Sequence, residues 1–268
     1  MGRDHGSASF RHFSEMGVHA RIGTAGLFVC GHIFQRFKSS VRMKPSILIT
    51  GASGGIGQSL VAKLADHFQI YATGRKGDRL RSFPETVRTL SGDLSSETFR
   101  AQLSEWANGV TAIIHNAGYA PNISVEETDS DFDRQVFEIN AIAPLDLTRK
   151  LQSSLGQGSP GRVISISSFA THDPFPGFRA YAASKSALES LVRSLSGETD
   201  GQVIGFNVAL AAVETPALRA FADEAMVPPE AALAPDAVAM AVARLLRGEF
   251  DDRSGERFLL SVSHALPD

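Results

Sequence analysis

At 268 residues, 43% of them hydrophobic, the chain has the make-up of a soluble globular protein of one α/β domain or two small ones. Its formal charge of −3 is unevenly spread: residues 1–42 hold six Lys/Arg against two acids, and the remaining body, at −7, gives no electrostatic reason to expect nucleic acid or an anionic membrane as partner. The single cysteine, Cys30, excludes an intrachain disulfide and a cysteine-built metal site, so no metal is expected and a reducing, cytoplasmic setting fits.

Residues 1–42 are of mixed composition with little periodicity and read as an N-terminal extension. Their Arg content fits a transit peptide, but Asp4, Glu15 and the absence of a clear cleavage pattern speak against one. The uncharged stretch 22–35 is well short of the ~20 residues that span a bilayer. Met43 stands directly before the first apolar run, and the expectation is that translation starts there, with residues 43–268 forming a single domain.

From Lys44 onward, apolar runs alternate with helical patterns at the spacing of βαβ units. The predicted strands are 45–50, 69–73, 86–90, 111–116, 162–167, 202–209 and 257–262. Helices are predicted at 55–67, 96–107, 129–154, 178–198, 216–224 and 235–247. In the third of these, Phe132, Val136, Ile139 and Ala143 recur at helical spacing behind a cap at Thr128 or Ser130. The pattern predicts a Rossmann-type, doubly wound, seven-stranded parallel sheet with right-handed crossovers and helices on both faces.

The stretch 46–57 reads Ser-Ile-Leu-Ile-Thr-Gly-Ala-Ser-Gly-Gly-Ile-Gly: a strand buried on both faces, a Gly-rich turn and a helix start. Gly51 lets the chain leave the strand tightly, Gly55 lets backbone approach a ligand, and Gly57 lets the helix lie against the sheet. A diphosphate there meets free N–H groups and the positive end of the helix dipole, so the loop predicts a bound dinucleotide. At the end of the second strand an acid would hold the ribose hydroxyls of NAD, but Gly74-Arg75-Lys76 offers none. A 2′-phosphate finds room at Gly74 and cations at Arg75 and Lys76, so NADP(H) is favoured over NAD(H); the competing reading makes both cations solvated turn residues. Asp93, in Gly92-Asp93-Leu94 after the third strand, either accepts from the adenine amino group or caps its own loop.

Tyr181 and Lys185 stand at i and i+4 and project from one helical face. A nearby ammonium favours phenolate, so the pair predicts a Tyr181 pKa below its usual ~10 and an acid/base role. Ser168, at the carboxyl end of the fifth strand, is placed to donate to a developing oxyanion, while Ser167 faces the other way. Asn140 is a polar residue on an apolar helix and calls for a partner.

Thr50-Gly51-Ala-Ser-Gly-Gly55-Ile56-Gly57, Asn116-Ala117-Gly118, Asn140, Ser168 and Tyr181-x-x-x-Lys185, in this order, resemble the short-chain dehydrogenase/reductase family, single-domain branch, over residues 44–262. The resemblance implies that Tyr181 is the acid/base and that Lys185 holds the nicotinamide ribose and lowers the Tyr pKa. Ser168 would polarise the carbonyl, and Asn140 would hold a water linking Lys185 to solvent. Ser53, Ile56 and Asn116 would line the cofactor, with Asn116-Ala117-Gly118 bracing the central strands. It also implies a homodimer or homotetramer assembled through the long fourth and fifth helices.

Two departures stand out. The Pro-Gly usual after the sixth strand is absent from 209–215, Ala-Leu-Ala-Ala-Val-Glu-Thr, where Val213 and Thr215 match positions that contact the carboxamide and diphosphate. The Asp-Gly-Gly common in 3-oxoacyl carrier-protein reductases is also missing. Phe169, Phe175, Phe178, Leu218, Phe221 and Met226 either line a mainly apolar pocket or are ordinary packing residues. The expected function is NADP-dependent hydride transfer between nicotinamide and a ketone, aldehyde or alcohol. The alternatives are a dinucleotide-binding regulatory protein without turnover and a sugar-nucleotide epimerase or dehydratase. The last is opposed by the roughly 50 residues that follow Thr215, too few for a larger substrate region.

Overall fold

Alternating side chains on each strand build the two faces of the molecule. In the computed structural model, which describes residues 44–157 and 160–267, Ile47 and Ile49 point to one face and Leu48 to the other. The same alternation sends Ile114, Ile164 and Ile166 to the first face and Ile113 and Val163 to the second. Both faces are covered by helices, which is why the central strands read as apolar runs, Ile47-Leu48-Ile49 in β1 and Ala112-Ile113-Ile114 in β4. The N-terminal extension, Cys30 and the expected start at Met43 lie outside the described residues.

Seven parallel strands lie in the order β3-β2-β1-β4-β5-β6-β7. They are β1 (Ser46–Ile49), β2 (Gln69–Gly74), β3 (Arg88–Ser91), β4 (Ala112–His115), β5 (Gly161–Ser168), β6 (Val203–Leu210) and β7 (Arg257–Leu260). Helices α1 (Gly55–Leu64) and α8 (Pro235–Leu246) cover the first face. Helices α3 (Glu97–Trp106), α5 (Ala143–Leu155) and α6 (Arg179–Glu198) cover the second. The chain reverses its winding between β1 and β4, and their carboxyl ends open the crevice where such folds bind ligands.

Three elements differ from expectation. A five-residue helix, α2 (Gly77–Arg81), follows β2; it is too short to carry a periodic signal. The helix expected over 129–154 is α4 (Ser130–Phe137), a π-helical turn (Glu138–Ile142) and α5, with Asp129 rather than Thr128 or Ser130 as its cap. The turn expected as 216–224 stops early as α7 (Pro216–Arg219).

The π-helical turn is held by charge. Arg100 of α3, only 5% exposed, donates to Glu138 Oε1 (2.6 Å), Asp146 Oδ2 (2.9 Å) and the Leu94 carbonyl (2.7 Å). One guanidinium thus ties the loop after β3 to the π turn and α5. Removing Arg100 leaves Glu138 without its partner while Asp146 keeps Arg149 (2.6 Å), so Arg100→Met is expected to cost about 3 kcal/mol, the low end for a broken buried pair. Urea unfolding checks this, and a loss below about 1 kcal/mol would show that Glu138 and Asp146 find water instead.

Candidate active site

Thr50, just beyond β1, is 1% exposed and serves as a junction. Its hydroxyl donates to the Ile114 carbonyl (3.3 Å) and accepts from the backbone N–H groups of Asn116 and Ala117 (both 3.1 Å). Asn116 Nδ2 donates in return to the Thr50 and Gly51 carbonyls, both at 3.0 Å. Asn116 therefore spends its amide on bracing the turn. Gly51 has φ +65°, and a Cβ there would fall 2.7 Å from Ala117 Cα.

The other two glycines work differently from expectation. A Cβ on Gly55 would lie 2.8 Å from Thr215 Cγ2, so this glycine admits a threonine from beyond β6 as well as any ligand. A Cβ on Gly57 would overlap the Gly51 carbonyl and Ala52, so its need is contact with the preceding loop, not with the sheet. Gly54 supplies no side-chain cap and the first turn of α1 has no acid, which leaves the N–H groups of Gly55, Ile56 and Gly57 as an anion cradle. That geometry fits a diphosphate.

Ser53 packs against Gly74, where a Cβ would fall 2.6 Å from its hydroxyl oxygen, and its carbonyl accepts from Arg79 (3.2 Å). Arg75 and Lys76 are exposed and have no ion-pair partner among the described residues. Sequence reasoning missed Arg79 because it missed α2, which turns this third cation back to the Gly-rich loop. Asp93 accepts from Ser95 N–H and hydroxyl (both 2.9 Å), and the backbone bond chiefly holds its pKa below the usual carboxylate value. Leu94 is buried in the core between the sheet and α3, its carbonyl engaged by Arg100. Val213 is buried and pairs in parallel with Leu233.

Asn140 is fully buried in the π turn. Its Oδ1 accepts from Tyr119 N–H (2.8 Å), and its Nδ2 donates to the Tyr119 carbonyl (2.8 Å) and the Ser184 hydroxyl (3.0 Å). Ser184 donates onward to the Tyr181 carbonyl (2.7 Å). Its signal lay inside the Tyr-x-x-x-Lys spacing, at i+3. Lys185, 3% exposed, donates to the Ile166 carbonyl (2.9 Å) with its Nζ 6.0 Å from the Tyr181 ring centre. A Cβ on Gly118 would lie 3.4 Å from that Nζ and 3.7 Å from Asn140 Oδ1, so these three groups share one corner.

Electrostatics reverse one expectation. Burial pushes the Tyr181 phenol above 10, and a hydrogen bond with Ser168 works against that. Burial likewise depresses Lys185 to about 8, with Glu189 favouring the ammonium. His115, at the end of β4, is depressed to about 3 by burial and by the Lys185 charge; its Nε2 bonds Thr148 Oγ1 (2.9 Å) and its Nδ1 has no partner.

Of the expected pocket residues, Leu218 and Phe178 are buried, Phe178 packing edge-on to Tyr181 (5.9 Å) and Phe221 (5.1 Å). Phe175, Phe221 and Met226 are exposed beside them. A separate cleft of about 440 Å³ lies between α8 and residues 260–266 and holds none of these groups. Among the described residues no helix is long and apolar enough to cross a membrane, and no group of three His, Cys, Asp or Glu is arranged for a metal.

The glycine cradle at the end of β1 and the set of Ser168 on β5 with Tyr181 and Lys185 on α6 are the features to set against known proteins. The family profile for short chain dehydrogenases matches residues 45–225, and the chain belongs to that family, whose members bind a nicotinamide cofactor. It is 27% identical over 202 residues to dehydrogenase/reductase SDR family member 7B of Mus musculus, covering 67% of this chain and 61% of that one. It is 32% identical over 169 residues to a 3-oxoacyl-(acyl-carrier-protein) reductase of Rickettsia conorii, covering 60% and 68%. The matched stretch spans about three fifths of the length of the first of these relatives. Among solved structures, a short chain dehydrogenase/reductase family protein superposes with TM-score 0.75 at 27% identity, covering 81% of this chain and 96% of that one. A putative betaketoacyl-ACP reductase superposes with TM-score 0.72 at 26% identity and the same coverage.

The depressed His115 sets an acid limb on stability. Its folded pKa of about 3 lies below the unfolded 6.5, so the unfolded chain binds more protons between those values and stability falls as pH drops through that window. The expected slope is roughly 1.4 kcal/mol per pH unit, and His115→Asn should remove it. Unfolding free energies at pH 4, 5 and 6 check this; an unchanged slope in His115→Asn overturns it.

Proposed function

We propose that the chain is an NADPH-dependent reductase of ketones or aldehydes, equivalently an alcohol dehydrogenase in the reverse direction. The observation that carries this reading is the half-buried Tyr181 with the Ser168 hydroxyl acting on it from the end of β5 and the buried Lys185 on the next turn of α6. A reduced nicotinamide, when bound, supplies the hydride. The chain's own residues do the rest. Ser168 donates to the carbonyl oxygen, and Tyr181, kept neutral by burial, delivers the proton as charge develops there. Lys185 holds the ribose and replenishes the proton. Asn140 fixes the Tyr119 backbone and, through Ser184, the turn of α6 that presents Tyr181.

NADP(H) is preferred over NAD(H) because the end of β2 offers Arg75, Lys76 and Arg79 and no acid. Gly51, Ser53, Gly55, Ile56 and Gly57 cradle the diphosphate, with Val213 and Thr215 closing over it, and Asp93 and Leu94 bound the adenine. The substrate is small and mainly apolar, held by the exposed Phe175, Phe221 and Met226, of which Phe221 packs on Phe178 and Phe178 in turn on Tyr181. Exposed Ile142 (43%) and Leu145 (46%) at the π turn and α5 support homo-oligomer assembly through that helix.

The test is NADPH oxidation, with NADH in parallel, against apolar ketones and aldehydes. Tyr181→Phe is expected to lower kcat by about 100-fold or more. Arg75→Ala and Arg79→Ala are each expected to raise the KM for NADPH about tenfold while leaving that for NADH unchanged. Tight NADPH binding without turnover of any carbonyl would favour a non-catalytic role, and an unchanged NADPH affinity in both Arg variants would remove them from the phosphate site.

A further inference from the structure

Glu189 lies on α6 one turn beyond Lys185, 9% exposed, and a buried carboxylate needs donors. Its Oε1 has three: the hydroxyls of Ser167 (2.5 Å) and Thr171 (3.1 Å) and the Nε of Arg257 (3.3 Å). Ser167 and Thr171 flank Ser168. The Thr171 hydroxyl also lies 2.9 Å from the Ser168 carbonyl, so its one proton is shared between that oxygen and Glu189. Arg257, the first residue of β7, donates to Thr171 Oγ1 as well (3.2 Å).

We propose that Glu189 is a positioning residue of the active site, drawing both flanks of Ser168 onto the helix that carries Tyr181 and Lys185, with Arg257 completing the clasp. The proposal rests on the reading of Ser168, Tyr181 and Lys185 as the reacting set. Besides the clasp, a further polar tie between this end of β5 and α6 is the Lys185 bond to the Ile166 carbonyl. Glu189 also answers a charge problem. The groups facing Lys185 are His115 from β4, the Ile166 carbonyl from β5, the neutral Asn140 from the π turn, and Tyr181 and Glu189 from its own helix. Glu189 is the one anion in that set, and it opposes the burial that strips Lys185 of its proton.

The experiment uses Glu189→Gln and Arg257→Gln in the full chain. In the unliganded protein, amide exchange over residues 168–173, whose N–H bonds include Ala170 to Ser168 Oγ and His172 to the Phe169 carbonyl, is expected to rise about tenfold relative to 161–166. In turnover, Glu189→Gln is expected to lower kcat about tenfold or more, with the KM for NADPH within about twofold. Its kcat should also decline toward alkaline pH from a lower value than in the parent, because the ammonium of Lys185 is lost earlier. Arg257→Gln, at a partly exposed position, should shift the same readouts less and carries the test if Glu189→Gln does not fold. Unchanged exchange over 168–173, or a kcat and pH profile that match the parent, overturns the proposal. If the parent turns over no carbonyl, the reading of the site fails and exchange alone decides the clasp.

Discussion

The molecule depends on the latch between Thr50 and Asn116. β1 and β4 are adjacent in the sheet, yet the chain leaves them toward opposite faces, and splayed strand ends would expose backbone groups in the middle of the protein. Thr50 and Asn116 close that gap with five hydrogen bonds. From this latch one path of contacts leads to the glycine cradle through Gly51. Another leads through Tyr119, Asn140 and Ser184 to the backbone of Tyr181. The glycine cradle and Tyr181 are therefore placed by a common brace, and an error of an ångström at the latch would reach both.

Beneath α6 the sheet is polar where it would be expected to be apolar. His115, Ser165, Asn207 and Arg257 form one row across β4 to β7, each the register partner of the next. Ser165 donates to Asn207 (2.5 Å), which donates to the Glu189 carbonyl (3.1 Å). Buried polar groups of this kind cost stability unless paired, and here nearly every one is. The unpartnered Nδ1 of His115 sits in the same interior as the Lys185 charge, which helps to keep the imidazole neutral. Burial also acts on Tyr181 and Lys185 in a common sense, favouring the uncharged form of each.

The elements that were legible in the sequence are those whose geometry is local. Tyr181 and Lys185 share a helical face by spacing alone, and the Gly-rich turn between an apolar strand and a helix carries its own conformational logic. The central runs of β1 and β4 were legible because two covered faces leave them little polar alternation. What was not legible depends on distant partners. Glu189 meets Arg257 across 68 positions, and nothing at either residue announces the other. Asn116 reads both as a cofactor contact and as a brace, and the partners of its amide nitrogen, the Thr50 and Gly51 carbonyls, lie 66 and 65 positions away. The direction of the Tyr181 shift needed the burial of the phenol, which spacing does not reveal. The π turn at Asn140 is set by Arg100 on another helix, while the helical periodicity ran straight through it.

The turn after β6 shows how the loss of Pro-Gly is accommodated. A proline restricts φ and removes a donor; Ala211 keeps its N–H and gives it to the Leu260 carbonyl (2.9 Å), so the turn is fixed by β7. Leu233 then donates to Ala212 and accepts from Glu214, both at 2.9 Å, which carries the chain as an extended segment to Thr215. Thr215 caps α7 through Leu218 N–H (3.2 Å) and fills the space over Gly55. Rigidity that a pyrrolidine ring would supply locally is here supplied by pairing. The consequence is that β7, the strand at the sheet's edge, supports the site from two sides: through Leu260 it holds the segment that presses on the glycine cradle, and through Arg257 it holds the loop that follows Ser168. A disturbance of β7 would therefore be felt at the glycine cradle and at the loop after Ser168 together.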